Sequence, residues 1–413
     1  MKRTRARTRT GAGTAATSRA TLVRAKLLLT SAGAKGVANG AVLVQDGRIK
    51  AVGARAPLER AAKGASVIDL PNATLMPGMI NLHAHLDSLC GPDFLMQAIV
   101  ISEANAVMVC VDSARRTLHA GVTTVRDLGT KYAAAIAVRD AINNGWTTGP
   151  RILSAGQLVC MTGGHGWFIA EEADGADEMR KKVRKNLKRG ADCIKVIATG
   201  GVLTPGVEVG SPQLDPDELE IAVREAHKAS KRVAAHAIGN QGIKNALRAG
   251  VDTIEHGCYL DDEAIKLFKK TGATYVPTLC APHFLYAHLD EVPDYARRKT
   301  TEVYEAHRAS FKRALRAGVP IVAGTDAGTP FNRHELYATE LALMVALGMS
   351  TEQALEAATS GAARAAGLAA QTGSLEEGMA ADLVALDGDP RKDINATMRV
   401  RGVMTRGLWT TPS

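Results

Sequence analysis

Five side chains of this 413-residue sequence have types and settings suited to holding metal ions. His83 and His85 form a His-Ala-His pair, followed by Asp87. Alternate residues on a strand point the same way, so both imidazoles can face one ion. His236 ends the run Val-Ala-Ala-His, His256 ends Thr-Ile-Glu-His, and Asp326 stands in Ala-Gly-Thr-Asp-Ala-Gly-Thr. Each has a plain alternative when taken singly: a histidine satisfied inside a strand, or an aspartate capping a turn or helix. Lys195 is the sixth candidate, set in the apolar run Cys-Ile-Lys-Val-Ile-Ala. Burying a lone ammonium is costly, so an ion pair or a stem reaching water is the structural alternative. The chemical reading is carboxylation. A neutral amine plus carbon dioxide gives a carbamate, whose two oxygens can bridge metals that an ammonium would repel.

These positions acquire meaning from the elements that must carry them. Three strand-like runs open the chain, Leu22–Thr30, Ala41–Val52 and Ser66–Leu75, and read as a small antiparallel layer. From about Ile80 to Gly367, short apolar strands then alternate with amphipathic helices. The strand candidates are Met79–Leu82, Val122–Arg126, Arg151–Ser154, Cys193–Ile197, Arg232–Ala235, Thr253–Glu255, Tyr275–Leu279 and Ile321–Gly324. Asp215–Ser230, Asp261–Lys270 and His334–Leu347 read as helices, and Gly250, Gly272 and Gly318 as helix ends. This alternation predicts an α/β fold, a (β/α)8 TIM barrel. A doubly wound sheet would want a glycine-rich turn after its first strand, where Leu82-His-Ala-His85 stands instead. The four histidines and Asp326 all fall at or just past the carboxyl ends of barrel strands, the rim on which barrel active sites form. The expected division is a disordered basic tail over 1–20, a composite β-sandwich domain from 21–76 and 371–413, and the barrel over 77–370.

Pro77-Gly-Met-Ile-Asn-Leu-His83-Ala-His85-Leu-Asp87, with Lys195, His236, His256 and Asp326, resembles the amidohydrolase superfamily. Gly163-Gly-His165-Gly-Trp167, Lys195-Val-Ile-Ala-Thr-Gly-Gly-Val202 and Ile254-Glu-His256-Gly-Cys-Tyr259 resemble its zinc-dependent Xaa-Pro dipeptidase and carboxypeptidase branch. That branch is imidazolonepropionase-like and includes ochratoxin-degrading amidohydrolases. The resemblance implies two Zn²⁺ per chain: His83, His85 and Asp326 on the first, His236 and His256 on the second, carboxylated Lys195 across both. Nitrogen and oxygen donors without thiolate suit zinc, with Mn²⁺ or Co²⁺ as substitutes. The expected reaction is attack of a metal-bound hydroxide on an amide carbonyl, with Asp326 taking the proton and returning it to the leaving amine. Substrates would be dipeptides or N-acyl amino acids, ochratoxin-type amides among them, releasing the C-terminal amino acid. His165 would donate to the carbonyl oxygen or the substrate carboxylate. Ser88, Val202, Tyr259 and Thr329 follow rim strands closely enough to line the pocket. Arg126, Asp127 and Glu255 either orient ligands or form a structural ion pair. A cyclic amidase or imidazolonepropionase-like hydrolase on the same fold is the alternative, and its mononuclear forms leave Lys195 without a task. The resemblance also implies a homo-oligomer, up to an octamer.

Composition narrows the partners. Lys2, Arg3, Arg5, Arg7, Arg9, Arg19 and Arg24 carry much of the net charge of +9 in a stretch without acids. The body is therefore nearly neutral, and attraction to polyanions is confined to the tail. Aromatic residues make up 4% of the chain, too few for a base-stacking surface, so nucleic acid is not expected as a partner. No apolar run reaches membrane-spanning length, so no membrane partner is expected either. Six scattered cysteines without a Cys-x-x-Cys exclude a thiolate zinc site, and the chain's length argues against a disulfide framework. No secretory apolar stretch follows the basic residues, which points to the cytoplasm.

Overall fold

A computed structural model describes residues 20–412. The tail expected over 1–20 lies outside them, apart from Ala20. The chain opens with strands β1 Thr21–Leu28, β2 Val37–Gln45, β3 Arg48–Ala54 and β4 Ser66–Pro77. Asp46 and Gly47 both take positive φ, 52° and 76°. Such a pair makes a tight hairpin turn, which separates β2 from β3.

The next strands are β5 Met79–Ala84, β6 Val122–Asp127, β7 Arg151–Ser154, β8 Val159–Cys160 and β9 Glu171–Glu172. Then come β10 Cys193–Ile197, β11 Arg232–Ala237, β12 Thr253–His256 and β13 Thr274–Val276. They pair in parallel in two sheets, β5-β6-β7 and β13-β12-β11-β10-β8-β9. Further backbone hydrogen bonds tie the sheets together. Asp192 N donates to Ser154 O at 2.7 Å, bringing β10 beside β7. On the other side, Leu82 N donates to Ala323 O at 3.0 Å and Val322 N to Tyr275 O at 3.0 Å.

The expected eighth strand, Ile321–Gly324, is a stave without regular strand geometry. Pro320 has no N–H to give, Ile321 makes a lone bridge to Tyr275, and Asp326 turns to a φ of 58°. Gly324 lets the backbone press against β5: a Cβ there would sit 3.0 Å from His83 N and 2.5 Å from Val276 Cγ1. The expected strand Tyr275–Leu279 likewise stops at Val276, because Pro277 cannot donate and Thr278 is left-handed at φ 54°.

The helices follow their terminal signals. Pro216–Lys228 starts with a capping box between Asp215 and Glu218, and Glu103–His119 is capped by Ser102. The helices ending before Gly250, Gly272 and Gly318 stop on glycines with φ of 89°, 74° and 71°. His334–Leu347 divides into a short 3₁₀ turn, His334–Leu336, and the helix Ala338–Ala346.

Strands β14 Leu383–Asp387, β15 Val400–Thr405 and β16 Leu408–Thr410 complete the chain. They join the opening strands in one sheet, ordered β16-β15-β14-β4-β1-β2-β3. The opening layer is mixed rather than antiparallel, since β1 runs antiparallel to β2 and parallel to β4. The helix Arg55–Ala61 carries the chain back to the far side of β1, the crossover that a parallel pair requires. Val23, Val42, Ile49, Leu75, Leu383 and Met404 pack together as this sheet's core.

Candidate metal centre and cavity

Each candidate histidine has one ring nitrogen engaged, and that fixes which nitrogen is free. His83 Nδ1 lies 2.8 Å from Glu255 Oε2. His85 Nδ1 lies 2.7 Å from the Gly129 carbonyl, which can only accept. His256 Nδ1 lies 2.8 Å from Thr278 Oγ1, whose own proton goes to Pro277 O at 2.6 Å. All three rings therefore carry the proton on Nδ1 and leave Nε2 available. His236 is reversed: its Nε2 lies 3.2 Å from Gly200 O, so its Nδ1 is free.

The free atoms converge. His83 Nε2 is 3.3 Å and His85 Nε2 3.4 Å from Asp326 Oδ1. Lys195 Nζ is 3.5 Å from His83 Nε2. His83, His256 and Asp326 bring ligand atoms within 4.8 Å of one another, a set able to hold a metal ion. The His236 ring is 4.5 Å from that of His256. Burial, reinforced by Lys195 and neighbouring histidines, pushes His83, His236 and His256 well below the usual imidazole range, which keeps them neutral as ligands must be. Burial also pulls on His85, but its bond to Asp326 outweighs this and its pKa is raised. Lys195 is 1% exposed, and burial pushes its ammonium down to about 8.

The supporting residues are buried with the centre. Glu255, which holds His83, accepts from Arg126 Nη2 at 2.9 Å, while Arg126 Nε donates to Leu82 O at 2.6 Å. This pair is thus both an ion pair and an orienting device, the two roles the sequence leaves open. Asp127 accepts from Leu86 N at 3.0 Å and from Gly129 N at 3.3 Å, shaping the turn whose carbonyl holds His85. Asp326 and His256 have left-handed φ of 58° and 70°, strained for residues other than glycine. Asn332, a residue with no motif to announce it, locks the first of these turns by donating to Thr325 O at 2.8 Å and Asp326 O at 2.9 Å.

A cavity opens above this centre, and His83, His85, Lys195, His236, His256 and Asp326 all line it. His165, Val202 and Thr329 line it too. Ser88 and Tyr259 are not in its lining. The Ser88 hydroxyl is turned to the Gly328 carbonyl, in a side cleft beside Asp87. Tyr259 packs with Cys258 and Val303 and directs its hydroxyl to Glu302 O at 3.5 Å. His165 sits on the His236 ring at 4.5 Å, and burial lowers it to about 3. Its Nδ1 is 2.8 Å from Thr204 Oγ1, a hydroxyl that already accepts from Gly166 N at 3.0 Å. Lys299 ties down the same loop, donating to Thr204 O at 2.7 Å and Gly201 O at 3.2 Å. Thr300, Val303 and His307 complete the wall from the helix Asp294–Ala317. Their spacing was readable as one helical face, but nothing in the sequence placed that face over the centre.

Residues 74–410 match the amidohydrolase family. The chain belongs to the amidohydrolase family. It is therefore a hydrolase acting on amide bonds. The amidohydrolase is 30% identical over 417 residues to ochratoxinase of Aspergillus niger, covering 94% of this chain and 85% of that protein. A solved Xaa-Pro dipeptidase with methionine in its active site is 31% identical with a TM-score of 0.87, covering 95% of this chain and all of that one. A prolidase complexed with N-methylphosphonate-L-proline is 30% identical with a TM-score of 0.87, over 95% and 100% of the two chains. Among the described residues, no helix is long and apolar enough to cross a membrane.

Proposed function

We propose that this amidohydrolase is a binuclear metal enzyme that releases the C-terminal amino acid from dipeptides or N-acyl amino acids, ochratoxin-type amides included. The observation that carries this reading is the convergence of the His83 and His85 Nε2 atoms on the Asp326 carboxylate, with the buried Lys195 Nζ 3.5 Å from His83 Nε2. His83, His85 and Asp326 would hold one ion, His236 and His256 a second, and Lys195, carboxylated by carbon dioxide, would serve both. The donor set suits Zn²⁺, with Mn²⁺ or Co²⁺ as substitutes. Bound ions supply Lewis-acid polarisation of the carbonyl and bring the pKa of a water towards about 7.

The chain's own residues do the rest. Asp326 takes the proton of the attacking water and hands it to the leaving amine nitrogen. The Thr204 hydroxyl can give its proton to His165 Nδ1, which leaves the proton of the neutral imidazole on Nε2 for the carbonyl oxygen or the substrate carboxylate. The ring of hydrogen-bonded staves fits a (β/α)8 barrel over 77–370, and the sheet shared by the two ends fits a composite domain of 21–76 and 371–413. Six cysteines, all buried and free, fit a reducing cytoplasm.

The test is a screen of dipeptides and N-acyl amino acids read by free amino acid, with metal counted per chain. Two metals and amino acid release are expected. One metal, with activity only on cyclic amides, defeats the reading.

A further inference from the structure

We infer that the helix Asp294–Ala317 presents a hydrogen-bonding wall, Thr300 with His307, that selects substrates whose apolar side chain ends in a neutral hydroxyl or carboxamide. This rests on the amide hydrolase reading and adds a substrate class to it. Thr300, Val303 and His307 are three and four residues apart, so they share one helical face, and all three line the cavity. Thr300 is fully buried and His307 is 1% exposed. Yet Thr300 Oγ1 and both ring nitrogens of His307 make no hydrogen bond. The neighbouring Thr301 shows what a helical threonine ordinarily does, donating to Arg297 O at 2.9 Å. Thr300 leaves the equivalent carbonyl alone. The carbonyls of Pro277 and His256 stand close enough to the His307 ring to attract its N–H, though no hydrogen bond of full geometry forms.

Buried polar atoms without partners are unfavourable unless something in the cavity answers them. The surrounding wall is apolar, with Ile238, Cys258, Pro282, Leu285 and Val303. Outside the candidate metal centre, no lysine, arginine, aspartate or glutamate among the described residues lines the cavity. A charged side-chain tip would therefore find no counter-charge here, whereas a hydroxyl or carboxamide can both donate and accept.

The experiment compares kcat/KM for Tyr-Ala against Phe-Ala and for Ala-Tyr against Ala-Phe, in the wild type and in Thr300→Val, His307→Leu and the double variant. The expected result is a preference of about tenfold or more for the hydroxylated member of one pair, falling towards unity in the double variant. Melting temperatures should hold or rise, because the substitutions remove unpartnered polar atoms. A wild-type ratio near one in both pairs overturns the proposal, and so does a ratio that survives the double substitution. If no dipeptide or N-acyl amino acid is cleaved, the amide hydrolase reading fails separately. Calorimetry of p-cresol against toluene on the metal-loaded protein still decides the wall. Tighter p-cresol binding that disappears in His307→Leu supports it, and equal affinity for the two probes refutes it.

Discussion

Carbon dioxide should control whether this protein takes up metal. Lys195 is pushed from 10.5 to about 8 by burial. At pH 7 it is then about 9% neutral, against about 0.03% for an ordinary lysine, so the amine able to react is enriched about 300-fold. Carboxylation joins that amine to carbon dioxide and releases one proton, leaving a carbamate anion. The perturbation is to strip metal, remove carbon dioxide from the buffer, and return zinc with and without bicarbonate. Metal per chain and amide hydrolysis are followed together. Without carbon dioxide, loading should be slow or partial. At fixed dissolved carbon dioxide, its rate should climb about tenfold per pH unit up to about pH 8 and then level, because the neutral fraction saturates there. Lys195→Ala should lose metal and turnover together, with partial recovery from bicarbonate plus a short carboxylic acid. Loading indifferent to carbon dioxide, or full turnover in Lys195→Ala, would refute the reasoning.

Asp326→Asn should fold normally and lose about 10²–10⁴ in kcat, the usual range for a proton-transfer group; a wild-type kcat removes that role. Gly201→Ala tests the position of the His165 ring without replacing that residue. A Cβ there would stand 2.5–2.7 Å from three ring atoms. Turnover should therefore fall with little change in melting temperature, and unaltered kinetics would show that the ring position is unimportant. Lys299→Met should unfasten the loop holding Thr204, raising KM or lowering kcat, with recovery in Lys299→Arg; equal kinetics in all three proteins would exclude a positioning role. Glu340 accepts from Leu279 N and Cys280 N, and burial raises it from 4.5 to about 7. The folded state thus keeps a proton that the unfolded chain gives up, so this group's contribution is present below pH 4.5 and is lost as pH rises through about 7. Glu340→Gln should flatten that part of the stability profile measured by urea unfolding, and an unchanged slope would exonerate the group.

The strands that carry the site were legible because apolar runs and terminal residues mark them locally. β10 is Cys193–Ile197 as read, and Pro216–Lys228 begins at its acidic cap. The convergence of Lys195, His83 and Asp326 followed from placing those strand ends on one rim. What escaped the sequence was set by contacts between distant segments. Asn332 has no neighbouring motif, and its value lies in the Asp326 turn it locks. Ser88 follows the first rim strand closely enough to suggest a pocket contact, but its hydroxyl is claimed by Gly328 across the molecule. The parallel pairing of β1 with β4 was hidden because strand direction depends on the crossover between them and not on either strand's composition.

The seam between β14 and β4 joins Leu383 to Pro77 and Asp387 to Ala73. During synthesis, β4 must therefore wait through some three hundred residues before its neighbour leaves the ribosome. Until then it is an open edge beside β1, ready to pair with a foreign strand. A stop codon or protease cut ahead of Leu383 would make that exposure permanent. Chains shortened at the carboxyl end should accumulate as aggregates even though every candidate metal-ligating side chain is still present.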